Sequence, residues 1–210
     1  RYNMTETDLC NMALSHIGEG LITSLDDDNE TARICNQYYH HARRLVLSQY
    51  MWGFARRVEP LANIQVETYT GGYRHTYLYP EHALRIYRII QDTELRNGLY
   101  TNYSVKDIPN YEVFNLDTST KAIGTNITRA YVDYVFDVND PDIFPPIFVE
   151  ALTRFLAASL AQSLVGNMEM YRAQFQIYQG ALLEAKNIVA SERQFDLELP
   201  VGYIESRRAT

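Results

Sequence analysis

Two histidines stand side by side at His40-His41, followed by Arg43-Arg44, then Trp52 and Arg56-Arg57. Histidine is the commonest metal ligand and arginine clasps phosphate, so the stretch could hold a metal ion or a nucleic acid. Adjacent residues project about 100° apart on a helix, so the two imidazoles do not converge on one ion, and the sequence offers no third ligand. Glu81-His82 could be drawn as an acid–base pair, but a Pro-Glu-His turn ahead of a strand needs no catalytic role. Asp137, Asp140 and Asp142 could flank a sugar bond as glycosidase carboxylates do, yet they read better as a solvated loop capping the next helix. Asp26-Asp27-Asp28-Asn29 lacks the Gly and the terminal Glu of a calcium loop and reads as a helix cap. Cys10 and Cys35 have no CxxC or Cys/His spacing for zinc and fall on apolar helix sides, as buried free thiols. No GxSxG, Walker A, HExxH or GxGxxG motif occurs, and Gly18-Glu19-Gly20 follows a helix rather than a strand. The expectation is no catalytic residue, no metal and no cofactor: a protein that is not an enzyme.

Composition narrows the classes further. The net charge is −7 and the pI about 5.2, the wrong sign for a protein that gains affinity by neutralising phosphates. At 46% hydrophobic and 21% charged, the 210 residues are globular rather than disordered and long enough for one large or two small domains. Two cysteines are too few for a disulfide scaffold. No apolar run reads as long enough to span a bilayer and no signal peptide is visible, so no membrane is expected. The 17 tyrosines fit an assembly surface or a strand-rich fold equally well.

These residues must be carried by an α+β chain. Thr5 starts a first helix with Leu9, Met12, Ala13, His16 and Ile17 on one face, ended by Gly18 and Gly20. A second runs from about Glu30 to Met51 with Ala32, Cys35, Tyr39, Ala42 and Val46 as its stripe, Arg43 and Arg44 pointing away. From Phe54 to Phe136 the period changes to 2, with strands at Leu84–Ile90, Tyr111–Leu116 and Ile127–Phe136. Turns are expected at Thr70-Gly71-Gly72, Arg96-Asn97-Gly98 and Ile123-Gly124-Thr125-Asn126. A third helix, with slim alanines, spans about Pro146–Val165 and is stopped by Gly166. Asn167 then caps a fourth, with Met170, Ala173, Ile177, Ala181, Ala185 and Ile188 along one face, ending near Arg193.

The expected organisation is a four-helix bundle with an inserted antiparallel β-domain. Residues 1–53 are the N-terminal helical pair, 54–141 the insert, 142–193 the C-terminal pair and 194–210 an extended arm. Trp52 and Phe54 are expected to be buried at the exit of the second helix, as structural anchors of the two subdomains. In the arm, Phe195, Leu197, Leu199, Val201, Tyr203 and Ile204 are apolar at mostly alternate positions. That pattern suits a strand docking on a neighbour, and these are the candidate docking residues.

Ala13-Leu14-Ser15-His16-Ile17-Gly18-Glu19, Ser24-Leu25-Asp26-Asp27 and a helix ending in Trp52-Gly53-Phe54-Ala55 resemble the head-to-tail adaptors, or tail tubular proteins A, of short-tailed bacteriophages. Tyr77-Leu78-Tyr79-Pro80 before Leu84-Arg85-Ile86 is similar to that family's Tyr-x-x-Pro turn. Arg154-Phe155-Leu156-Ala157-Ala158-Ser159-Leu160-Ala161 is similar to its alanine-rich third helix. Glu81-His82 depart from the small acidic residue the family has after that proline. The resemblance covers about Thr5 to Arg193. It implies a structural virion protein, assembled in the host cytoplasm, that forms a homo-oligomeric ring, commonly a dodecamer, at the head-to-tail junction. Its implied partners are copies of itself, the portal protein and a tail nozzle or other tail proteins. Double-stranded DNA passes through the channel at ejection without specific binding. The alternative class is a virion-associated peptidoglycan-degrading enzyme, which requires a carboxylate pair.

Overall fold

The computed structural model describes residues 3–65, 72–93 and 111–195, the last seven of these as backbone only. Among the described residues it is a mixed α+β structure with four α-helices, α1 to α4 below, and two antiparallel sheets. Two compact units divide the chain: residues 1–46 with 140–210, and residues 47–139.

In the helical unit, α1 (Glu6–His16) opens on a capping box. Thr5 Oγ1 accepts from Asp8 N at 3.1 Å while Asp8 Oδ2 accepts from Thr5 N at 2.9 Å, satisfying backbone donors that a helix start leaves bare. α2 (Glu30–Gln49) is capped by Asn29, whose Oδ1 accepts from Ala32 N at 2.8 Å. The expected stripe of Ala32, Cys35, Tyr39, Ala42 and Val46 is buried. Arg43 corrects the expectation that both arginines point outward: it is 2% exposed, whereas Arg44 is exposed. Arg43 lies one turn beyond Tyr39, inside the apolar stripe.

Helix α3 (Pro146–Leu160) packs against α1 and α4, and a π-turn, Ala161–Val165, continues it to Gly166 at φ 65°. Its slim alanines 151, 157 and 158 are fully buried, which lets neighbours approach. By length and composition, Pro146–Val165 is apolar enough to cross a membrane, contrary to expectation, with mean hydropathy 1.3. It is 56% buried, so a core helix accounts for the apolarity. Asn167 Oδ1 accepts from Glu169 N and Met170 N, both at 3.0 Å, and starts α4 (Met168–Phe195). The buried face of α4 is Gln174, Tyr178, Ala181 and Ala185. Ala173, Ile177 and Ile188, expected on it, are exposed. The reason is polar: Gln174 Nε2 donates to His16 O at 3.1 Å and its Oε1 accepts from Arg154 Nη1 at 3.1 Å, which turns that side of α4 inward.

In the β-unit, one sheet has the order β1 (Arg56–Pro60), β7 (Ala130–Phe136), β4 (Ala83–Gln91). The other runs β2 (Asn63–Ile64), β3 (His75–Leu78), β6 (Lys121–Thr125), β5 (Tyr111–Asn115). Tyr77 and Ile123 from the second sheet meet Ile89, Ala130, Val132 and Tyr134 from the first in a shared core. Asp117 closes the β5–β6 hairpin by accepting from Ser119 N at 2.8 Å and Thr120 N at 2.7 Å.

Two local expectations fail here. Ile123-Gly124-Thr125 is strand, not turn, and Ile127–Arg129 precede β7 instead of belonging to it, with Arg129 at φ 53°. A Cβ on Gly124 would stand 2.7 Å from the Tyr73 ring and 3.0 Å from that of Phe114, so this glycine marks close packing on a strand. Of the other expected turns, Gly72 is described, at φ 87°, and Arg96-Asn97-Gly98 lies outside the described residues.

Candidate functional site

Among the described residues no group of three His, Cys, Asp or Glu side chains is placed to hold a metal ion. His40 and His41 are both exposed on α2. Cys10 on α1 and Cys35 on α2 are fully buried free thiols hydrogen-bonded to each other. That bond and burial push the Cys10 thiol well above its ordinary value, so it is held protonated rather than as a nucleophilic thiolate. The buried Tyr39 hydroxyl has no hydrogen-bond partner among the described residues, and burial pushes it up as well.

The acidic stretch builds local structure. Asp27 Oδ2 accepts from Thr23 N at 2.9 Å and Ser24 N at 3.1 Å, and Thr23 Oγ1 donates to it at 2.7 Å. The Thr23 hydroxyl bond leads in holding this carboxyl below the usual range. Asp26, Asp27 and Asp28 border an open depression of about 450 Å³ that Arg33 and Asn36 also line. Asp140 Oδ1 accepts from Asp142 N at 3.0 Å, and Asp142 Oδ1 accepts from Met4 N at 2.7 Å, so both carboxylates are engaged in backbone capping. His82 is exposed, stacks edge-on against Phe136 with ring centroids 5.6 Å apart, and its carbonyl accepts from Asp137 N at 2.8 Å.

Trp52 is 2% exposed and meets Tyr50 edge-on at 5.6 Å and Phe54 at 6.3 Å. Phe54 corrects the expectation of burial for both rings, being only half-buried. It stands in the single 3₁₀ turn Gly53–Ala55, where the chain leaves α2 for β1 and one side of the turn faces out. Phe195 is the last residue of α4, two positions past the expected helix end, so its backbone is helical rather than extended. Leu197, Leu199, Val201, Tyr203 and Ile204 lie outside the described residues.

Among the described residues, a buried polar arrangement in the first sheet matches no motif. Asp133, fully buried in β7, accepts from Arg56 Nε at 2.8 Å and Nη2 at 2.7 Å, and from Arg88 Nε at 3.4 Å. Its signal was an acid inside Ala-Tyr-Val-Asp-Tyr-Val-Phe, a strand otherwise free of charge. The arrangement joins the three strands of one sheet, with Arg88 directly across from Asp133. Such a bidentate clasp fixes strand register and leaves no carboxylate free for a substrate. No described tyrosine is exposed; Tyr39, Tyr77, Tyr134 and Tyr178 are buried and the others half-buried. Within the lone chain those tyrosines are packing residues.

Comparison with protein-family models gives no match, and comparison with curated proteins gives none.

Proposed function

We propose that this protein is a structural subunit of a ring-shaped head-to-tail adaptor in a short-tailed phage virion. The ring joins the portal to the tail and encloses the channel through which the genome passes. What supports the reading is the order of elements with their marker residues. Two capped helices lead through Trp52-Gly53-Phe54-Ala55 into an antiparallel β-unit, Tyr77-Leu78-Tyr79-Pro80 precedes β4, and two further helices follow, the first alanine-rich. In this reading the four helices form one bundle, with α3 as its central member, and the subunit is not an enzyme and takes no cofactor. The net charge of −7 suits a channel wall that repels duplex DNA and lets it slide. Trp52 and Phe54 serve as the anchor at the chain's entry to the β-unit. Leu197, Leu199, Val201, Tyr203 and Ile204, beyond the helical Phe195, form a docking segment for the portal or an adjacent subunit, and the ring number is expected to be twelve. Electron microscopy of the purified chain mixed with its portal is the test. A ring stacked coaxially on the portal is expected; a chain that never associates with the portal would sink the reading. Zymography on peptidoglycan checks the enzymatic alternative, and lysis abolished by one Asp or Glu substitution would favour it.

A further inference from the structure

Gly180 stands in the middle of α4, a 28-residue helix, on its exposed side. Glycine is the worst helix former after proline, so an interior helical glycine asks for a reason, usually the close approach of another chain segment. Among the described residues there is none: a Cβ built at Gly180 meets nothing within 4 Å. One turn to either side, Ile177 is 43% and Leu183 is 61% exposed, and Ala173 is exposed on the same face. The result is a notch, floored by Gly180 and walled by two large apolar side chains, on the side of α4 away from its buried Gln174–Tyr178–Ala181–Ala185 face.

The chain that follows α4 has the pattern to fill such a notch. Thr210 is 15 residues beyond Phe195, a reach of about 50 Å when extended. Leu197, Leu199 and Val201 alternate there with Asp196, Glu198 and Pro200. As a strand these three apolar residues span about 13 Å, against about 15 Å of helix axis from Ala173 to Leu183. Lys186, one turn beyond Leu183, and Arg172, next to Ala173 at the other end of this stretch, are both exposed and complement Asp196 and Glu198. None of residues 196–201 is a Gly or Asn, the residues that most readily take the left-handed cap through which a chain doubles back on its own helix.

We propose that the notch at Ile177, Gly180 and Leu183 receives residues 196–201 of a second copy of this chain, a head-to-tail contact that closes on itself in a ring. This rests on the ring reading and names the surface that receives the docking segment.

The test uses the full chain. Mass photometry and sedimentation follow assembly as concentration rises, and circular dichroism follows folding. Gly180→Ala and Gly180→Leu are expected to melt no lower than the wild type, since space is open and the helix gains. Gly180→Leu is expected to weaken assembly at least tenfold. Chains carrying Gly180→Cys mixed with chains carrying Leu199→Cys are expected to cross-link between copies with a short bismaleimide, the buried Cys10 and Cys35 staying unreactive. A wild type that assembles while Gly180→Leu assembles equally well overturns the notch and leaves the ring standing. A chain carrying both cysteines that cross-links only within itself also overturns it, in favour of the chain's own segment. A wild type that stays monomeric at every concentration overturns the contact, and the portal experiment alone then decides the ring.

Discussion

At the scale of single residues, Asp133 shows how a buried charge is retained. Its carboxylate is fully buried and clasped by Arg56 with Arg88 at hand, so removing the acid takes from both guanidinium groups the carboxylate they share. Breaking such a buried arrangement from one side costs about 3–5 kcal/mol. Asp133→Ala is expected to lose about that much in urea unfolding, and a change under about 1 kcal/mol would make the clasp marginal. Trp52 is the large-to-small counterpart. At 2% exposure, Trp52→Ala is expected to cost about 3–5 kcal/mol, and an unshifted melting curve would contradict the anchoring role proposed for it. His16 carries a pH dependence. Burial first, then the neighbouring Arg154, lowers its value in the folded protein below the ordinary 6.5. As pH falls below 6.5 the unfolded chain takes up the proton first, so stability present above 6.5 is lost toward the lower folded value. The melting temperature is expected to fall from about pH 7 to about pH 5, and less steeply in His16→Gln. A wild-type slope identical to that of the variant would remove His16 as the cause.

At the scale of elements, caps were the most legible feature because they are local: Thr5 with Asp8, Asn29, and Gly166 followed by Asn167 each act within three residues of where they stand. Helix faces were less legible. On α2 the apolar stripe was correct, but Arg43 was placed outside it by its charge although its angular position lies within it. On α4 apolar character pointed to Ala173 and Ile177, while Gln174 turned inward to meet His16 and Arg154. Strand β6 was hidden by its glycine. Gly124 reads as a turn in sequence, and only the rings of Tyr73 and Phe114 across it explain a glycine in a strand. Gly124→Ala forces a ring to move and is expected to destabilise by about 1–3 kcal/mol. A neutral or stabilising result in thermal unfolding would show that the Tyr73 ring yields freely.

At the scale of the whole molecule, the candidate docking segment carries the functional prediction. α4 continues to Phe195, so the segment is cut cleanly after that residue. The protein ending at Phe195 is expected to fold with unchanged helicity yet to lose recruitment to portal-bearing capsids in co-sedimentation; recruitment equal to the full chain's would sink the docking role. The sequence by itself determined the quantities that add up locally. These are the acidic balance, the change of period between helical and strand segments, the caps and the stops. It also left the histidines, acids and cysteines without a spacing that chemistry requires. Only the tertiary structure decided which face each helix buries and that Asp133 is gripped from two neighbouring strands. It alone showed a helical glycine at position 180 with nothing against it among the described residues. These depend on partners far apart in the chain, 77 residues in the case of Arg56 and Asp133, where periodicity carries no information and packing alone selects the contact.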